Sequence, residues 1–222
     1  MCEIEIFFLH TIISYWKHLI CSYCKRETSK TLDEICAICY AEKHPPTKTL
    51  DKTWLYLPVL RKKRSKSSAS YGSFDSELAK SIIQNNFQID DETNQIQINN
   101  TSFPFTIEGI DELAKQSGVL VGKWLIYRGE KDIDASWKTI AEALIDNMFG
   151  VSAKVSTVRQ KGHSYVICVY TQNYMDTVDV QSVRSVLSSI GFRESLCYKP
   201  DLYTYLNIYS GTSKIQPCRF RL

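Results

Sequence analysis

From Val119 to the C-terminus, apolar residues recur first at every second position and then at every third or fourth, and the two repeats alternate. Val119 to Tyr127 reads as a strand. Asp134 to Phe149 reads as a helix with Trp137, Ile140, Ala141, Leu144 and Met148 on one face, stopped by Gly150. Val151 to Val158 and Ser164 to Thr171 read as two strands joined across Lys161-Gly162. A second helix, Val178 to Ile190, turns Val180, Val183, Leu187 and Ile190 inward and stops at Gly191. Leu196 to Tyr209 supplies the final strand material, with Tyr203 and Tyr205 near the centre of the sheet. The order is βαββαβ, which implies an α+β fold: an antiparallel sheet backed by helices on one face, its other face open for binding.

The segments before Val119 are less regular. Asp75 to Gln84 and Ile107 to Gln116 read as short helices, and Gln95 to Phe105 alternates as an edge strand would. Charge is uneven under a net +3. Residues 75–112 hold eight acids against Lys80, whereas residues 150–222 hold nine Lys/Arg against four Asp/Glu, so the C-terminal part is the basic one. With 44% hydrophobic and 12% aromatic residues, the chain can bury a core. At 222 residues, it has room for that core and a smaller appendage.

The apolar run Ile6 to Trp16 is too short to span a bilayer, and Glu3 and Glu5 stand where a secretory signal needs positive charge. The expected location is therefore cytoplasmic or nuclear. In such a reducing compartment, cysteines two apart point to metal more than to disulfides. Cys21-Ser-Tyr-Cys24 and Cys36-Ala-Ile-Cys39 are separated by residues 25–35, and two such turns offer four thiolates to one tetrahedral Zn²⁺. With no ligand position left open, that zinc would be structural. The alternatives are a small buried cysteine cluster or a redox pair in one of the two CxxC turns. The basic run Arg61 to Lys66 leads into the small-residue stretch Ser67 to Ser73, which suits either a solvated linker or a nuclear-import or phosphate-contacting patch. The expected organisation is a zinc module over 1–50, a linker over 51–76 and the α+β domain over 77–222.

Several stretches in one order carry a family resemblance: Gly122-Lys-Trp124, Ile133-Asp-Ala-Ser-Trp137 with Ile140-Ala141, Ala153-Lys-Val-Ser-Thr157, Val166 to Thr171, Asp179-Val180 with Val183-Arg184, and Tyr198 to Tyr209. In these the chain resembles the basophilic-leukaemia-expressed protein family, which has no established activity; the resemblance does not cover the cysteine region. That family is similar in fold to the cap-binding translation initiation factor 4E, so the resemblance implies a curved antiparallel sheet backed by helices. Cap recognition of that type stacks methylated guanine between two tryptophans. Trp124 and Trp137 resemble the structural or partner-facing tryptophans of that fold, and no tryptophan follows Trp137, so the cap sandwich is not carried over.

Lys161-Gly-His-Ser-Tyr-Val-Ile-Cys168 loosely follows the octamer of RNA-recognition domains, in which strand aromatics stack on bases. Tyr165 fits, while His163 and Cys168 stand where Phe or Tyr is expected. The ordinary alternative is a turn at Gly162 with Tyr165 and Tyr170 as plain strand residues. His163, Cys168 and Cys197 could build a nucleophile and base, yet no phosphate loop, zincin helix or nucleophile elbow occurs. The resulting expectation is a non-enzymatic RNA-binding protein with Arg159 and Lys161 on phosphates and Tyr165 and Tyr170 on bases. The alternative is an adaptor that docks a protein on the zinc module or on the helical face carrying Trp137.

Overall fold

The computed structural model describes residues 19–20, 27–28, 37–49, 52–58, 74–145, 152–158 and 164–222. In chain order the elements are β1 (Leu19–Ile20), β2 (Glu27–Thr28), α1 (Ala37–Lys43), β3 (Trp54–Pro58), α2 (Ser76–Ile83), β4 (Gln88–Asp90), β5 (Gln95–Ile98), β6 (Thr101–Pro104) and α3 (Ile107–Ser117). They continue with β7 (Gly122–Arg128), α4 (Glu130–Ile145), β8 (Ser152–Ser156), β9 (Tyr165–Thr171), α5 (Thr177–Ser189), β10 (Cys197–Pro200), α6 (Asp201–Tyr205) and β11 (Phe220–Arg221). The fold is α+β, and the order βαββαβ from β7 to β10 is the one read from periodicity. The strands of the largest sheet lie in the order β11-β10-β7-β9-β8-β3. Two compact units divide the chain: Met1–Lys62 with Tyr127–Ile167, and Lys63–Ile126 with Cys168–Leu222. No helix among the described residues is long and apolar enough to cross a membrane.

In the first unit, β3 and β8 pair antiparallel with Leu55 opposite Val155 and Leu57 opposite Ala153. All four are buried, as period-two alternation on a half-covered sheet requires. Helix α4 turns Ile133, Trp137, Ile140, Ala141 and Leu144 inward at helical spacing, and α1 packs on α4. Thr47 donates to Asp134 from its backbone N (3.1 Å) and from Oγ1 (2.5 Å). The Lys138–Glu42 pair at 2.7 Å is half exposed and adds little. Two expectations change here. The stretch 51–76 read as a linker contains β3, because the alternation Trp54-Leu-Tyr-Leu57 is only four residues long and runs into a basic, Ser-rich segment that masks it. Trp137 is wholly buried, so its side chain faces the interior and cannot form a docking surface.

In the second unit, β10 pairs antiparallel with β7, placing Tyr198 opposite Trp124. Their rings meet edge-on at 5.0 Å, and Trp124 Nε1 donates to the Val180 carbonyl of α5 at 3.1 Å. This fixes the face of β7 and β10 that the helix covers. Burial pushes the Tyr198 hydroxyl pKa upward, and that hydroxyl bonds Thr171 Oγ1 at 2.5 Å. Two of the helices start on aspartate side-chain caps, Asp75 for α2 and Asp176 for α5, of the kind that contribute about 1 kcal/mol each.

Residues 95–105, read as one strand, form the β5–β6 hairpin of a three-stranded antiparallel sheet with β4. Asn99 adopts φ 52°, a left-handed turn conformation that Asn tolerates, and Ile98 pairs with Thr101 across it. Tyr203 and Tyr205 lie on α6 and not on strand material: after Pro200 the chain turns helical, burying Leu202 and Tyr203. A Cys197–Cys218 disulfide and an Arg219–Asp111 ion pair at 2.7 Å hold the segment after α6, and Asp111 also accepts from the Tyr174 hydroxyl at 2.8 Å.

Candidate nucleic-acid interface

Because side chains alternate along a strand, the residues between those packed on α5 point to the opposite face. On β7 and β10 these include Lys123 and Lys199, which are register partners. Both are buried, at 8% and 4% exposure. Like charges directly opposite on neighbouring strands repel, so their surroundings must compensate. Lys123 Nζ lies 2.6 Å from Asp201 Oδ1 and 5.5 Å from the Tyr170 ring centroid. Lys199 Nζ donates to the Ile208 carbonyl at 2.7 Å and sits 3.7 Å from the centroid of Tyr209, which is 46% exposed. Burial, then the nearby Lys123 charge, push the Lys199 pKa down to about 8, with Asp201 and Cys168 opposing. The result is two ammoniums and two tyrosine rings on one face, suited to an anion next to an aromatic or apolar group.

A separate cluster lies in the first unit. Lys154, opposite Tyr56 in the β3–β8 register, places Nζ 4.5 Å from the Trp54 ring centroid and 5.7 Å from that of Tyr56. Here the two rings already face a cation of the protein's own.

Among the residues named from sequence, Tyr170 lies on the lysine-bearing face and is half-buried. Tyr165 does not join it. The two are five apart on one strand and so point to opposite sides; Tyr165 shares the side of Thr171, which bonds Tyr198, and is 6% exposed. Arg159, Lys161 and His163 lie outside the described residues, as do Cys21, Cys24 and Cys36 of the zinc reading. Cys39 is buried on α1. Cys168 is a buried thiol, and Cys197 is held in the disulfide with Cys218. Lys123, Lys199, Asp201 and Tyr209 were not anticipated. A lysine on either side of a core aromatic, Lys123 before Trp124 and Lys199 after Tyr198, was the signal available.

The architecture defines a class: an α+β protein of antiparallel strands and helices, with Lys123 and Lys199 buried on the strand face turned away from α5. The chain belongs to the family of Basophilic leukemia-expressed protein Bles03, whose sequence model matches residues 42–207. Among solved structures, it is similar to Ascaris suum eIF4E-3 in complex with an m7G cap, at 17% identity over 76% of this chain and 94% of that one, with a TM-score of 0.37. C. elegans eIF4E-3 in complex with the 4E-binding protein Mextli and a cap analogue matches at 17% identity over 76% and 95%, with a TM-score of 0.38. A schistosome eIF4E complexed with m7GpppA and 4E-BP matches at 14% identity and a TM-score of 0.37, over 46% of this chain and 58% of that protein's length.

Proposed function

We propose that the protein is a non-enzymatic RNA-binding protein that engages single-stranded RNA with the lysine- and tyrosine-bearing sheet face of its second unit. The observation that carries this reading is the opposition of Lys123 and Lys199 beside the Tyr170 and Tyr209 rings. Ammoniums attract phosphates, and tyrosine rings at a sheet surface stack on unpaired bases without demanding one sequence. The strands holding Lys123 and Tyr170, β7 and β9, are neighbours in the sheet. Arg159 and Lys161 belong to the same proposal as additional phosphate contacts. The adaptor reading has less support, because Trp137 is buried and α1 already packs on α4.

The test is anisotropy of labelled single-stranded RNA with wild type and Tyr209→Ala at two salt concentrations. Binding should weaken steeply with salt, and the variant should lose about 1–3 kcal/mol if the ring stacks on a base. No binding at low salt would reject the reading in favour of the adaptor. The proposal includes one structural Zn²⁺ on Cys21, Cys24, Cys36 and Cys39. Metal analysis of the purified chain should return one zinc per chain, and a metal-free, folded chain would remove it.

A further inference from the structure

Lys199 is a sparsely satisfied cation. An ammonium carries three donors, yet among the described residues that of Lys199 makes one hydrogen bond, to the neutral carbonyl of Ile208, although it is 4% exposed. The nearby carboxylate, Asp201, is engaged with Lys123 at 2.6 Å. A buried ammonium whose hydrogen bonds among the described residues stop at one carbonyl is costly even with Asp201 nearby, and such a site gains from an anion that fills its remaining donors. Its depth restricts which anion can arrive. An internal phosphodiester continues as chain on both sides, whereas a phosphate monoester has a single attachment and can enter end-on.

We propose that Lys199 and Lys123 together hold a phosphate monoester dianion, the 5′-terminal phosphate of an RNA strand, with the Tyr209 ring moving off Lys199 Nζ to admit it; this rests on the RNA-binding reading above. A monoester brings up to two negative charges and three acceptor oxygens at neutral pH. Register partners on adjacent antiparallel strands have Cα atoms about 4.5–5.5 Å apart, so both ammoniums can reach one phosphate. Tyr209 is the exposed member of the cluster and can swing aside. The second phosphate ionisation lies near about pH 6. Among the described residues, the charged and titratable groups around the lysine pair are Asp201 on α6, Cys168 and Tyr170 on β9, and Tyr209 after α6. With the Lys199 pKa down to about 8, binding is strongest between the two ionisations and weakens as pH rises through the upper one.

The experiment compares one oligonucleotide sequence carrying a 5′-phosphate or a 5′-hydroxyl, with inorganic phosphate as competitor. For wild type at pH 7 the phosphorylated strand should bind about tenfold tighter, as a charge-assisted contact allows. The advantage should shrink toward pH 9.5, and inorganic phosphate should abolish it. Lys199→Met should bind the two strands equally, with its melting transition checked for folding. Asp201→Asn, which removes the competing carboxylate and keeps its shape, should widen the preference several-fold. Equal affinity of wild type for both strands, with RNA binding intact, overturns the phosphate site and leaves the RNA reading standing. Lysine-dependent binding of inorganic phosphate or a nucleoside monophosphate without any RNA binding overturns the RNA reading and gives the site to a small phosphate ester. Binding of none of them overturns both.

Discussion

Replacing Gly122 by alanine is expected to destabilise the protein by roughly 2–4 kcal/mol, read as a lower urea midpoint at unchanged slope. A Cβ at this position would lie 2.3 Å from the Tyr198 hydroxyl, 2.7 Å from Cζ and 2.8 Å from Cε1. Tyr198 cannot yield. It is wholly buried, its ring stands edge-on to Trp124, and its hydroxyl is bonded to Thr171. Moving the ring therefore breaks a buried hydrogen bond and disturbs the aromatic pair that fixes β10 on β7. Gly129→Ala is the control, because a Cβ there meets nothing within 4 Å. Adding Tyr198→Phe removes the nearest atom, so the double variant should be less destabilised than the sum of the two single ones. Equal midpoints for Gly122→Ala and Gly129→Ala would show that the sheet absorbs the methyl by a backbone shift.

Periodicity made the core of this fold legible because β7, α4, β8, β9 and α5 each carry a long enough apolar pattern to be unambiguous. Shorter elements were not. β3 offers two inward leucines, and the alternating Tyr and Leu residues after Pro200 fit a short helix as well as a strand. The Asn99-Asn100 turn was visible as residue types, but the alternation on either side concealed it. The Cys197–Cys218 bond joins residues 21 apart, a spacing that carries no signal of its own.

The candidate site is legible only in kind. The sequence suggests basic residues and tyrosines on a β-sheet face, and Tyr170 lies on the face that carries Lys123. The lysines that join it are set by register: nothing in the sequence says that position 199 lies opposite position 123. Tyr165 and Tyr170 cannot share a face, since their odd separation on one strand places the two side chains on opposite sides.

The same lysine pair makes a prediction that needs no ligand. Lys199→Met should raise stability at pH 7 by about 2 kcal/mol. Holding a lysine pKa from 10.5 down to about 8 disfavours the folded state at neutral pH by roughly 3 kcal/mol, and the variant forfeits about 1 kcal/mol for the Ile208 carbonyl left without its donor. The sign follows from proton binding. Between pH 8 and 10.5 the unfolded chain keeps the Lys199 proton while the folded chain gives it up, so this lysine makes wild-type stability rise with pH across that window. Below pH 8 both states are protonated and the penalty is constant, which is where the variant gains most. The gain should therefore fade as pH climbs toward 10.5, where only the lost hydrogen bond remains. Urea titrations of both proteins at pH 7 and pH 10 measure it. A variant less stable by the same amount at both values would mean that the Lys199 ammonium is already compensated in the fold, and the case for an anion site would fall with it.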